Sequence, residues 1–198
     1  MKKFFKKGVV LFIAAMALCA FVKPSMTGAA TWSAIGSEHT LDSSNLGFVT
    51  SSSPLGAIDS QCTSSSFTAT VVSPSRLDFT AVTFGGDCTA HGPSIGTCNM
   101  DLTAQKLPWT ATALSSTDVQ IHGMHITVVF TQTMPDTTCN IPGADVTVTG
   151  TVTGAWSNAS SHLTLSNAEG LTGHSVVGPM VLTARGTLRD TSQTLRIT

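Results

Sequence analysis

Beyond its first thirty positions the chain alternates hydrophobic residues with threonine, serine and other polar residues. Phe67, Ala69 and Val71 share one parity, as do Leu77, Phe79 and Ala81, then Cys98, Met100, Leu102 and Ala104, then Val146, Val148, Gly150 and Val152. A period of two sends alternate side chains to opposite faces of an extended strand, so each run predicts a strand with one buried face. Threonine at the intervening positions suits a pleated surface facing water. Turn-forming clusters, SPSR at 73–76, SNASS at 157–161 and RDTSQ at 189–193, interrupt these runs. Short strands with such punctuation indicate an all-β fold, an antiparallel β-sandwich or β-barrel of about ten strands, and no amphipathic helix competes with that reading.

Two details of the pattern carry geometry. Val119 and Ile121 are odd, whereas Ile126, Val128 and Phe130 are even, so the buried parity changes within HGMH. A one-residue bulge at Gly123 accounts for the change and turns both His122 and His125 outward, with a tight turn at HGM as the competing reading. Segments 67–80, 148–166 and 182–198 each read as a Thr-rich strand, a polar turn and a second strand. Shared hairpin composition explains their likeness more simply than duplication.

The first thirty residues are of a different kind. Lys2, Lys3, Lys6 and Lys7 precede an unbroken apolar run from Val9 to Val22, with Gly28 and Ala30 placed for cleavage before Thr31. This is the layout of a secretory signal peptide. The run falls short of the ~20 residues that span a bilayer, so no stable transmembrane anchor is expected. Leu18 does not supply the small residue that a lipidated Cys19 would need. The mature chain is then one domain, residues 31–198, large enough for a substantial core.

Losing that leader changes the charge. Five of the ten basic residues leave and all eleven acidic ones stay, a formal charge of −6. Nucleic-acid binding requires clustered cations and stacking aromatics. Here the cations are scattered and tyrosine is absent, so nucleic acid is excluded as a partner.

Cys62, Cys88, Cys98 and Cys139 remain, an even number in an exported chain, and two disulfides follow. The Gly/Pro-containing loop between Cys88 and Cys98 favours pairing of these two, which leaves Cys62 for Cys139. Oxidation also removes a metal site built on Cys88, His91 and Cys98, whose spacing exceeds that of structural zinc pairs.

GPSIG at 92–96 spells a hydrolase nucleophile turn around Ser94, and Asp101 and His122 or His125 follow in order. That turn needs a strand before it and a helix after it, whereas IGTCNMDLTA continues as a strand. His122 and His125 are metal candidates too weak for a tight site unless a third ligand joins them. Pro108 is expected at a strand start or edge, Trp109 in the core, and at least two of the three tryptophans inside. Asn158 heads a glycosylation sequon in a turn and is expected to be exposed. The aspartates fall mostly at turns and strand ends, with no acid–base couple among them. No cofactor is expected.

The combination of TCNMDLTAQKLPWTAT, a preceding FGGDCT and a later TTCN leading into TVTGTV resembles a group of uncharacterised exported bacterial all-β proteins with paired cysteines. The resemblance implies secretion and an all-β fold and supplies no activity or site residue. The leading expectation is a secreted or envelope-associated, non-enzymatic structural or binding module. A β-barrel holding a small apolar ligand is the alternative, favoured by small inward residues such as Ala69, Ala81, Ala104 and Gly150 and by a cavity of several hundred Å3. A secreted hydrolase using Ser94 is the second. An outer-membrane barrel lacks the aromatic girdles it would need.

Overall fold

The computed structural model describes residues 29–198 except 133–137 and 177, and the side chains of 51 and 52 are not described. The signal peptide expected at 1–30 therefore lies almost wholly outside the described residues. The strands are β1 (Glu38–Ser43), β2 (Gly47–Ser52), β3 (Asp59–Ser73), β4 (Arg76–Gly92), β5 (Gly96–Ala104), β6 (Trp109–Ala113), β7 (Asp118–Gln132), β8 (Asp145–Ser157), β9 (His162–Ser175) and β10 (Gly178–Asp190). No helix is found among the described residues.

These ten strands close into an antiparallel barrel of eight staves. β1 and β2 lie end to end between β10 and β3, and β5 and β6 lie end to end between β4 and β7. β7, β8, β9 and β10 follow one another around the wall. Closure leaves no open sheet edge among the described residues, and so removes the unpaired backbone groups that an edge strand would offer to another chain. An eight-strand circumference gives an interior that side chains fill or that holds one small ligand.

The alternation read from the sequence points the side chains inward as expected for Phe67, Ala69, Val71, Met100, Val146, Val148 and Val152. Ala81 does not follow. Thr68 faces Ala81 while Ala69 faces Phe79, so a bulge at Thr80 turns Ala81 outward and Val82 inward. Gly150 leaves no void either, because a Cβ there would lie 2.0 Å from the Gly170 carbonyl oxygen. The third hairpin stops halfway: after β10 the chain runs back as a tail.

That tail closes one end of the barrel. Thr31 and Thr198 exchange backbone hydrogen bonds of 2.9 and 2.8 Å, and Trp32 bridges to Ile197. Leu195 and Ile197 are buried there, and Trp32 meets Trp156 edge to face at 5.5 Å. All three tryptophans are buried, and Pro108 immediately precedes β6, whose first residue is the core residue Trp109. The opposite end, where β4 turns into β5 and β9 into β10, is the mouth of the barrel.

The disulfides correct the expected pairing. They join Cys62 to Cys88 and Cys98 to Cys139. The 88–98 segment does fold back as a hairpin, but Ala90 faces Cys98, which places Cys88 two residues out of register with it. Cys62 is the direct cross-strand neighbour of Cys88. Cys98 instead meets the strand-like stretch around Cys139, which is held by hydrogen bonds from the Thr97 amide to the Thr138 carbonyl and from the Asn140 amide to the Ile95 carbonyl. Barrel register, not loop length, chose the partners.

Candidate functional site

The residues with catalytic or ligating potential fall in separate places. Ser94 sits in the β4–β5 turn at the mouth, where its carbonyl accepts the Asn140 side-chain amide. Cys98 faces Gln132, and His125 lies seven residues further along β7, roughly 23 Å away at the usual strand rise of about 3.3 Å per residue. His122 is more distant still. Ser94 and these histidines therefore cannot form a nucleophile–base pair, and Asp101 is an exposed residue opposite Val129. His91 bonds Thr97 at 3.0 Å, and its two cysteine neighbours are consumed by different disulfides.

His122 and His125 are where the bulge places them. The register slips between Ile121 and Met124, Gly123 has φ 72°, and both imidazoles are half-buried on the outer face while Ile121 and Met124 point inward. No group of three or more metal-ligating side chains exists among the described residues. Asn158 departs from expectation. Its carboxamide accepts the Trp156 indole N–H at 2.8 Å and the Ile197 amide at 2.8 Å, and donates to the Ile197 carbonyl at 2.6 Å. It is a clasp for the tail rather than a free surface amide.

Sequence reasoning missed the polar centre of the closed end. Asp190, at the last position of β10, is fully buried. Its carboxylate accepts the amides of Leu195 at 2.9 Å, Thr194 at 2.9 Å and Ser192 at 3.2 Å, together with the Ser192 hydroxyl. Burial alone would raise its pKa. The hydrogen bonds from Leu195, Ser192 and Thr194 outweigh burial and hold the carboxyl below the ordinary aspartate value. Buried His39 approaches it at 3.5 Å and is bound on its other nitrogen by Ser37 at 2.7 Å. The group fastens the tail, and a −1 charge satisfied by donors at fixed positions is a structural device.

At the mouth the inner wall changes character. A cavity of about 30 Å3 lies between β2, β3, β5, β7, β8 and β10, lined by Phe48, Met100, Phe130, Val146, Met180 and Leu182 among others. Two hydroxyls reach it and neither is free. Thr50 accepts the Ile58 amide at 2.7 Å and donates to the Gly56 carbonyl, and Ser60 donates to the Phe48 carbonyl at 2.8 Å. No ionisable group lines this cavity. The volume is about a tenth of what a drug-sized ligand occupies. The cavity is thus about a tenth of the several-hundred-Å3 apolar chamber expected of a barrel that binds a small apolar ligand.

Comparison with curated proteins and with solved structures gave no match. A family model does match, over residues 1–198, and it is that of the alkane oxidation protein activator PraA/PraB-like proteins. Because the match runs over every residue, the chain belongs to the PraA/PraB-like family.

Proposed function

We propose that this chain is an exported, non-enzymatic accessory module that promotes the oxidation of alkanes by other proteins. The observation that carries the reading is the barrel's composition: its interior holds apolar side chains and engaged hydroxyls around a cavity of only about 30 Å3, and Ser94, Asp101, His122 and His125 are dispersed over its turns and outer face. Hydrocarbon oxidation needs a redox centre or an activated oxygen species, and neither is provided by such a side-chain set. The family description supplies the process, alkane oxidation, and the role, activator.

Export is supported by the basic and apolar leader and by both disulfides. Thiols paired in this way persist outside the reducing cytosol.

The test uses protein recovered from culture medium. N-terminal mass analysis should find Thr31 first. Added to washed alkane-grown cells, it should raise oxygen uptake on an n-alkane and not on glucose, while protein and alkane without cells consume no oxygen. A Ser94→Ala variant should stimulate equally. Protein found only inside cells with residues 1–30 attached would overturn export, and equal uptake with and without the protein would overturn the accessory role.

A further inference from the structure

Met100, Val128, Phe130 and Leu182, which face one another near the mouth, each retain 5–7% exposure, whereas Trp109, Val152 and Ala184 further along the barrel are 0% exposed. That residual exposure borders the cavity of about 30 Å3. Three properties of this space define what it accepts.

Its walls are carbon and sulfur, and both hydroxyls that reach it are engaged by the backbone of β2 and β3. A polar group entering would lose water and find no free partner, so the inserted portion must be hydrocarbon. Its size admits a methyl or methylene group. A cavity that accepts benzene is near 150 Å3, so a ring is too wide and an unbranched chain end fits.

Its length can grow. Met100 and Met180 are unbranched thioethers that change rotamer readily. Met180 lies across Gly173, an inward-facing position of β9 with no side chain: a Cβ there would stand 2.5 Å from Met180 Cγ and 3.0 Å from Leu182 Cδ1. A rotamer change of Met180 would uncover the bare backbone at Gly173, a strip of wall against which further methylenes could lie. Gly173 has no positive φ that would call for glycine. The place of its side chain is taken by Met180 and Leu182, so the flexible thioether of Met180 is what covers this strip of wall.

We propose that the mouth of the barrel, at Met100, Met180 and Gly173, is a one-chain-wide binding site for the methyl end of an unbranched saturated hydrocarbon. This deepens the accessory reading by naming the ligand class, and it is testable apart from that reading. Binding would withdraw a single alkane molecule from a droplet and hold one end of it in a soluble protein.

The experiment follows methyl-13C methionine signals of the exported chain, disulfides intact, during titration with n-hexane, n-heptane, n-octane or cyclooctane. Saturable shifts of Met100 and Met180 are expected with the linear alkanes, with affinity rising about fourfold per added methylene until the site is full. Cyclooctane should give none. Gly173→Val, which fills the strip, should weaken n-octane binding at least tenfold, and Met180→Ala should admit cyclooctane. If Gly173→Val loses the β circular-dichroism spectrum, Gly173→Ala takes its place. The site is overturned by absent saturation, by equal response to n-octane and cyclooctane, or by unchanged binding in a folded Gly173 variant. Stimulated oxygen uptake without n-octane binding would sink the site and leave the accessory role standing. Binding without stimulation would do the reverse.

Discussion

The buried Asp190 carboxylate takes a 2.9 Å hydrogen bond from the Leu195 amide, five residues on, and so fixes the turn that sends the C-terminal tail across the closed end. Because the hydrogen bonds outweigh burial, the folded-state pKa lies below the unfolded one. A depressed carboxylate contributes stability that is fully present above the ordinary aspartate pKa of about 3.9 and is lost as pH falls through the folded value. Urea unfolding midpoints should hold steady from pH 7 to about 5 and decline below about 4. Asp190→Asn should cost about 3 kcal/mol at pH 7, since a neutral amide cannot satisfy the same donors, and should flatten the acid limb. An acid limb of unchanged slope in that variant would assign the pH dependence elsewhere.

Register rather than loop length sets the disulfides, and peptide mapping under non-reducing conditions should recover Cys62 linked to Cys88 and Cys98 linked to Cys139. On the chain-entropy account, closing separations of 26 and 41 residues contributes roughly 3.5 and 4 kcal/mol. Replacing Cys98 and Cys139 together by serine should lower the midpoint of chemical unfolding and raise hydrogen exchange around Ile95 and Asn140, whose hydrogen bond the bridge reinforces. A peptide joining Cys88 to Cys98 would contradict the register.

Much of the barrel was legible in the sequence because inward and outward positions differ sharply in chemistry, Phe67 against Thr68 and Val146 against Thr147. The bulge at Gly123 was legible for the same reason: a parity change is visible only where both flanks are strongly apolar. The bulge that turns Ala81 outward was not, since alanine is at home on either face. Sandwich and barrel remained equivalent until β10 was seen to pair with β1 and β2, a long-range choice that leaves no mark on local periodicity. The disulfide pairing failed likewise: loop composition is local, and the Cys62 to Cys88 register is not. The mouth site has the faintest signal, since Met100 and Met180, which line the cavity, and Gly173, which lies under Met180, read in the sequence as ordinary core positions.

Two glycines with positive φ should respond differently to alanine. Gly123 has φ 72° and open space where a Cβ would stand, so Gly123→Ala carries only the backbone penalty of the left-handed region, about 1 kcal/mol. Gly150 has φ 150° and a Cβ clash with the Gly170 carbonyl at 2.0 Å, so β8 and β9 must separate. Gly150→Ala should cost about 3 kcal/mol or more. Thermal melts of the two variants would check the order, and equal losses would mean that close strand approach at Gly150 is not what the fold requires.

Asn158 ties the tail to the barrel through three hydrogen bonds, two to the backbone of Ile197 and one from the Trp156 indole. Removing the carboxamide leaves the buried Trp156 N–H and the Ile197 backbone without those partners, a loss of about 2 kcal/mol. The damage should stay local, because the barrel ladder does not pass through residue 158. In Asn158→Ala, amide exchange should accelerate at Ile197 and Thr198 and remain slow at Val128 and Val148 in the wall. The same Nδ2 atom would carry a glycan, so a host that modifies Asn158 must do so before the tail docks, and the modified chain should show the same fast exchange at Ile197. Uniform acceleration across the barrel would instead make the tail part of one cooperative unit with the wall, and slow exchange at Ile197 in the alanine variant would remove Asn158 from the clasp.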